Sequence, residues 1–252
     1  MDFRFGAEDE AFRDEIRAFV RAELPESFGR AAYNDREDSP KEHGETARAF
    51  QRKLSDRGWL TLAWPKQYGC LGAGPMQQLV YNEEMSQLRA PGFGGMGVAM
   101  VGPTLMMHGT DEQRERFLGH IARGEMSWCQ GFSEPGAGSD LASLQTRAVV
   151  DGDDFVVSGQ KIWTAGAQRA DYCILLARTD PEAPKHRGIS YLLMDMKSPG
   201  ITITPLTNML DSAAFNQMFL DDVRIPRANL VGELNRGWYV ATTTLDFERS
   251  GI

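Results

Sequence analysis

Apolar positions along this chain change period near residue 125. Before it they recur at helical spacing. Phe12, Ile16, Phe19 and Val20 fall at i, i+4, i+7 and i+8, one stripe that predicts a helix over residues 1–24, ended by Pro25. Residues 26–44 are polar without period and predict a loop. A second helix is expected from Glu45 to Arg57, with Phe50 and Leu54 inward and Gly58 as its cap. Pro75 can open a third at its first position, carrying Met76, Leu79, Val80 and Met85. The stretch 90–103, APGFGGMGVAMVGP, is both apolar and glycine-rich. It predicts a loop that either lines a cavity for an apolar ligand or packs closely between helices. Thr110 and Gln113 have the spacing of a T-x-x-Q capping box ahead of DEQRERFLGHIARG.

From 125 to about 233 short β-type runs follow one another: MSWCQGFS, LQTRAVV and FVVSGQKIWTAG around the turn Asp151-Gly152, then DYCILLART, ISYLLMDM, ITITPL and FNQMFLDDVRI. Six or seven such strands predict a small β-barrel or sandwich. After Gly232 the run GWYVATTTLDFERSGI turns helical again, and its pattern is unfinished at residue 252. The fold class is therefore α+β. An all-helical domain spans 1–124, a β domain 125–234, and the start of a helical bundle 235–252.

Bulk properties narrow the partners. A net charge of -8 argues against nucleic acid or an anionic membrane as the main surface contacted. No window approaches the ~20 apolar residues of a membrane span, and the N-terminus has no apolar signal core. Cys70, Cys129 and Cys173 form no metal-ligand spacing and read as reduced thiols, which suits a cytoplasmic protein. The four histidines are scattered, so no metal site is expected.

The run GFSEPGAGSD, Gly131 to Asp140, concentrates turn residues. Pro135 fixes its own φ, and Gly136 and Gly138 permit angles closed to other residues. A compact loop with outward N–H groups can hold an anionic or heteroaromatic ligand, or it can be a plain tight turn.

Read in order, WCQGFSEPGAGSDLASLQTRA, VVSGQKIWTAGAQRADYCILLART, HRGISYLLMDMKSPGITITPL and FLDDVRIPRANLVGELNRGWYVA carry a resemblance to the acyl-CoA dehydrogenase family of flavoproteins. FRDEIRAFVRAELP, WPKQYG and HGTDEQRERFL also look like the family. The likeness covers nearly the whole chain. It matches the family's helical and β domains and the first turns of its C-terminal bundle.

The resemblance implies FAD as cofactor and an acyl-CoA as substrate, dehydrogenated across its α and β carbons. By position, Gln130, Gly131, Phe132 and Ser133 would meet the flavin edge, and Trp163 would pack on its face. An ordinary strand aromatic is the plain alternative for Trp163. Many relatives carry Thr or Ser where this chain has Ala165. Its backbone N–H, or the neighbouring Thr164, would have to serve near flavin N5. Ser139, Asp246 and Arg249 match substrate-side positions. Glu248 matches the base that isovaleryl and long-chain members take from the first bundle helix. The base is otherwise an acid beyond residue 252, or Glu248 and Arg249 are a solvated pair. The glycine-rich segment 92–103 matches the acyl-cavity region, and its small residues suggest room for branched, ring-bearing or dicarboxylic acyl groups. Electron-transfer flavoprotein as acceptor and a homo- or hetero-tetramer are further implications. Alternatives are a non-catalytic partner subunit, an acyl-CoA oxidase or flavin monooxygenase on the same fold, or a β binding module without cofactor.

Overall fold

The computed structural model describes residues 5–25, 28, 41–68, 70–92, 94–209, 211 and 213–250. Among them, packing separates two compact units: Met1–Gly94 with Ala122–Gly124, and Gly95–Ile121 with Glu125–Ile252.

The first unit holds α1 (Ala7–Glu23), α2 (Lys41–Asp56) and α3 (Pro75–Gln87). The α1 stripe is inward as its spacing required: Ile16, Phe19 and Val20 are buried. Phe19 meets Phe50 of α2 at 5.5 Å and Trp59 at 5.3 Å, so aromatic edges knit these elements. Helix α2 begins at Lys41, four residues before the sequence-based start. The rest of the expected 26–44 loop, apart from Phe28, lies outside the described residues. Pro75 does sit in the first turn of α3, and Val80 and Met85 are buried, but Met76 and Leu79 are exposed. The inward place on that helix goes instead to Glu84, 1% exposed, which Arg13 reaches at 2.5 Å and Arg17 at 2.7 Å. Burial alone would raise the Glu84 carboxyl, but these two guanidinium groups outweigh it and hold it ionised.

In the second unit the expected glycine-rich loop is helical from residue 95 on. A π-turn at Gly97–Val101 runs into α4 (Gly102–His108). The reason is steric: a Cβ on Gly97 would stand 2.9 Å from Trp128 Cδ1 and 3.2 Å from Ile121 Cγ2. This glycine lets a helix press against its neighbours rather than loosening a loop. The capping box opens α5 (Asp111–Ala122): Gln113 N donates to Thr110 Oγ1 and Thr110 N to Gln113 Oε1, each at 3.2 Å.

The strands are β1 (Trp128–Gly131), β2 (Arg147–Asp151), β3 (Asp154–Ala165), β4 (Tyr172–Arg178), β5 (Ile189–Asp195), β6 (Ile201–Leu206), β7 (Phe215–Pro226) and β8 (Leu230–Val231). The two-residue loop between β2 and β3 is Gly152-Asp153, one residue later than expected, because Asp151 pairs with Asp154 and Gly152 takes φ 62°. All eight strands form one sheet in the order β6-β7-β3-β2-β4-β5-β8, with β1 parallel on β4. The expected barrel is not closed: β6 and the two-residue β8 end the path without pairing to each other. The sheet nevertheless curls over one core, since Cys173 and Leu175 of β4 cluster with Met218, Leu220 and Val223 of β7. Six of the seven residues in each of β4 and β5 are buried. These two strands are covered on both faces.

Helix α6 (Gly237–Ser250) closes the outer side of β5. A Cβ on Gly237 would collide with the backbone of Ser190 and Tyr191, so only glycine allows this approach. Thr244 then bonds Tyr191 Oη at 3.2 Å and Thr104 of α4 at 2.9 Å.

Candidate functional site

Strand β1 alternates. Cys129 belongs to the sheet core, and a Cβ on Gly131 would stand 3.0 Å from Cys173 Sγ and Leu175 Cδ1. Gly131 is therefore a packing residue. Phe132 is buried edge-on against Tyr191, ring centres 6.0 Å apart. Its side chain is spent on packing, and its carbonyl accepts from Lys161 Nζ at 3.0 Å. Gln130 and Ser133 are half-buried. The Ser133 carbonyl accepts from Ile162 N at 2.9 Å, which brings the β1 extension beside β3 one residue before Trp163.

The loop that follows is held by a buried carboxylate. Glu134, 7% exposed, accepts from Gln145 N at 2.6 Å, Thr146 N at 2.8 Å and Lys161 Nζ at 2.8 Å. Burial pushes its carboxyl up, but the Lys161 charge and hydrogen bond, with Thr146 and Gln145, outweigh burial and hold it below the usual carboxylate range. Lys161 is fully buried, and burial lowers its ammonium to about 8 against the pull of Glu134. Arg178 completes the anchor: its Nη2 donates to Ala142 O at 2.6 Å and its Nη1 to Lys185 O at 2.9 Å.

Trp163 departs from strand alternation. Phe155, Val157 and Lys161 are buried, so Trp163 would follow them inward. Instead the register with β7 slips between Lys161 and Thr164, and Trp163 takes φ 62°. The indole is thrown outward and is 61% exposed, with the edge of Phe215 6.2 Å away. A bulky residue at positive φ is an outlier that costs on the order of 1–2 kcal/mol. Thr164 is buried in turn, and its hydroxyl has no partner among the described residues. Ala165 is half-buried.

The glycines of the loop are not needed for its backbone. Neither Gly136 nor Gly138 has φ in the left-handed region, and a Cβ on either would meet nothing within 4 Å. This corrects the expectation that their backbone angles are closed to other residues. Open space beside two glycines and the exposed Ser139 leaves the loop accessible to a close-lying ligand. Asp140, the next residue, is tied to Lys185 at 2.8 Å.

Helix α6 carries the remaining candidates. Asp246, Glu248 and Arg249 are all exposed. Arg249 pairs with Asp246 at 3.4 Å, not with Glu248. Among the described residues no hydrogen bond or ion pair links these three to residues 130–133 or 163–165. The Ser133 strand and the tryptophan come together, and the helix candidates are not bonded to them.

Comparison with known proteins bears on this arrangement. The acyl-CoA dehydrogenase N-terminal domain family matches residues 6–125, and the middle domain family matches 129–223. The acyl-CoA dehydrogenase IpdE1 of Mycobacterium tuberculosis is 40% identical over 243 residues, 95% of this chain and 63% of that protein. This chain belongs to the acyl-CoA dehydrogenase family.

The solved steroid ACAD Tcur3481-Tcur3483 is 40% identical with a TM-score of 0.87, covering 100% of this chain and 64% of that one. The ChsE4-ChsE5 complex from Mycobacterium tuberculosis is 40% identical with a TM-score of 0.83, covering 98% and 61%. The chain thus spans a little over three fifths of these relatives. Members of the family are FAD-binding flavoproteins. The residues present fit such a group: an outward indole, an adjoining strand, and a loop with free space beside two glycines. None of the described helices is long and apolar enough to cross a membrane.

Sequence reasoning passed over Glu134, Lys161, Arg178 and Asn216. A signal existed for Lys161. It sits two and four residues beyond Gly159 and Val157, in the inward phase of β3. A lysine in that phase needs a buried acid, and Glu134 is the acid inside the loop motif.

Proposed function

We propose that this chain is the cofactor-binding part of an FAD-dependent acyl-CoA dehydrogenase acting on bulky, ring-bearing acyl groups. The observation that carries the reading is Trp163, turned out of the β3 pattern at φ 62° beside the Ser133 strand. Trp163 supplies a flat wall that excludes water from one ring face. Gln130, Ser133 and the Ala165 backbone offer hydrogen bonds to its polar edge, since leaving those groups unpaired costs about 1–3 kcal/mol each. FAD, when bound, accepts the β-hydrogen with its electron pair. Ser139 contacts the CoA arm, and Asp246 and Arg249 lie toward the thioester. Glu248 removes the α-proton as the C–H bond acidifies beside the polarised carbonyl. Electron-transfer flavoprotein takes up the electrons.

The steroid ACAD likeness, at 40% identity and TM-score 0.87, supports a ring-bearing acyl group. A second reading, a partner subunit without its own turnover, draws on Ala165, which lacks the hydroxyl many relatives use, and on the likeness to a two-component complex. The test mixes the intact protein, without oxygen, with a steroid-ring CoA thioester and with butyryl-CoA. Faster flavin bleaching by the steroid thioester is expected. No bleaching by either, from protein that holds flavin, favours the partner-subunit reading, and preference for butyryl-CoA removes the bulky-substrate assignment.

A further inference from the structure

We infer that Asn216 is a positioning residue for the flavin-facing turn Trp163–Gly166, acting through the Thr164 carbonyl and Gln168 without touching a ligand. This inference rests on the FAD reading above.

Asn216 occupies a core position. On β7 it shares the inward phase with Met218 and Leu220, and all three are buried. An apolar residue would pack there without polar cost, so an amide needs a reason. Its Nδ2 donates to Thr164 O at 3.0 Å and to Gln168 Oε1 at 2.7 Å. Both hydrogens of one amide are thus spent on the two ends of the segment 164–168. Its Oδ1, like Thr164 Oγ1, has no partner among the described residues. The arrangement is kept despite two buried oxygens, each costly to leave unpaired.

The clamped segment is the part of β3 that most needs holding. Trp163 has φ 62° and Gly166 φ 68°, three residues apart. The ladder with β7 is broken between Lys161 and Thr164, so regular pairing does not fix Trp163 from that side. Beyond the turn, Gly166 N reaches Ala214 O only at 3.4 Å. A strained residue persists where its surroundings over-determine it. Here Ile162 N on Ser133 O fixes the entry, and the Asn216 amide fixes the exit. Without the amide only the ladder pairs Thr164–Asn216 and Ala165–Phe215 hold the exit, and the turn relaxes toward regular β geometry, which draws position 163 toward the inward phase and withdraws the indole.

The test measures FAD affinity and the near-ultraviolet circular dichroism of bound flavin in the intact protein. Asn216→Leu, close in shape, is expected to weaken FAD about tenfold and to alter the flavin signal. Its flavin-free thermal midpoint should change little, because removal of the unpaired Asn216 oxygen offsets the donor lost to the Thr164 carbonyl. Gln168→Ala, on an exposed side chain, removes one anchor without touching the core. It should weaken FAD about threefold with a change of the same sign in the dichroism. Wild-type affinity and an unchanged flavin signal in Asn216→Leu overturn the inference alone. If that variant does not fold, the same result in Gln168→Ala overturns it. A wild-type protein that binds no FAD overturns the cofactor reading, and this inference with it.

Discussion

Lys161 Nζ and Glu134 Oε1 stand 2.8 Å apart, the lysine side chain fully buried and the glutamate 7% exposed. The pair joins β3 to the EPGAGSD loop and also holds the Phe132 carbonyl. Removing one member of a buried pair leaves an uncompensated charge, a loss of about 3–5 kcal/mol. Lys161→Met should lower the urea-derived unfolding free energy by that amount. Glu134→Gln should also destabilise, and the double variant should lose less than the sum, because the two act as a unit. A cost under about 1 kcal/mol for Lys161→Met contradicts the pairing.

Glu134 also sets a pH dependence. Its folded carboxyl lies below the ordinary value of 4.5. The ionised form therefore contributes stability that is present above that value and is lost as pH falls through the folded one. Unfolding midpoints measured from pH 7 down to 3 should decline more steeply in the wild type than in Glu134→Gln. Parallel curves contradict the assignment.

Gly136 and Gly138 separate ligand binding from folding. Their backbone angles lie outside the left-handed region, and an added Cβ meets no protein atom within 4 Å. Alanine at such sites typically stabilises by about 0.4–1 kcal/mol through the unfolded chain. Gly136→Ala and Gly138→Ala are expected to keep or raise the thermal midpoint while weakening acyl-CoA or FAD binding, measured by calorimetric titration. Unaltered binding in both variants contradicts a close-lying ligand at this loop.

Gly237 is the opposite case. A Cβ there meets the Ser190 and Tyr191 backbone, which cannot give way as a flexible side chain can. Gly237→Ala should displace α6 from β5 and break the Tyr191–Thr244 bond. Overpacking of this kind typically costs 1–3 kcal/mol. Hydrogen exchange should rise first along α6, and uniform protection at the wild-type level contradicts the close approach.

How much of this was legible in the residues divides along physical lines. Period and punctuation placed the strands, because Phe155, Val157 and their neighbours alternate and turn residues separate the runs. The capping box at Thr110 was readable because it is local, formed by residues three apart. The helix at 97–108 was not, since Gly97 is there for Trp128 and Ile121, contacts far away in the chain. The open edge between β6 and β8 was hidden for the same reason: strand order depends on long-range pairing. At the candidate site, the motif pointed to Ser133 and Trp163, which the fold brings onto neighbouring strands. The bulge that turns Trp163 outward, and the Asn216 amide beneath it, arise from the register with β7, which one strand's sequence does not encode.

The most direct measurement compares unfolding free energy and FAD affinity in the intact protein carrying Trp163→Gly. Glycine relieves the positive φ, about 1–2 kcal/mol, and adds about 0.5–1 kcal/mol of chain entropy to the unfolded state. Stability should therefore stay within about 1 kcal/mol of wild type, while FAD affinity falls by about tenfold or more as the stacking wall is lost. Wild-type FAD affinity with glycine at 163 would contradict the account that this strained indole is held outward to face the flavin.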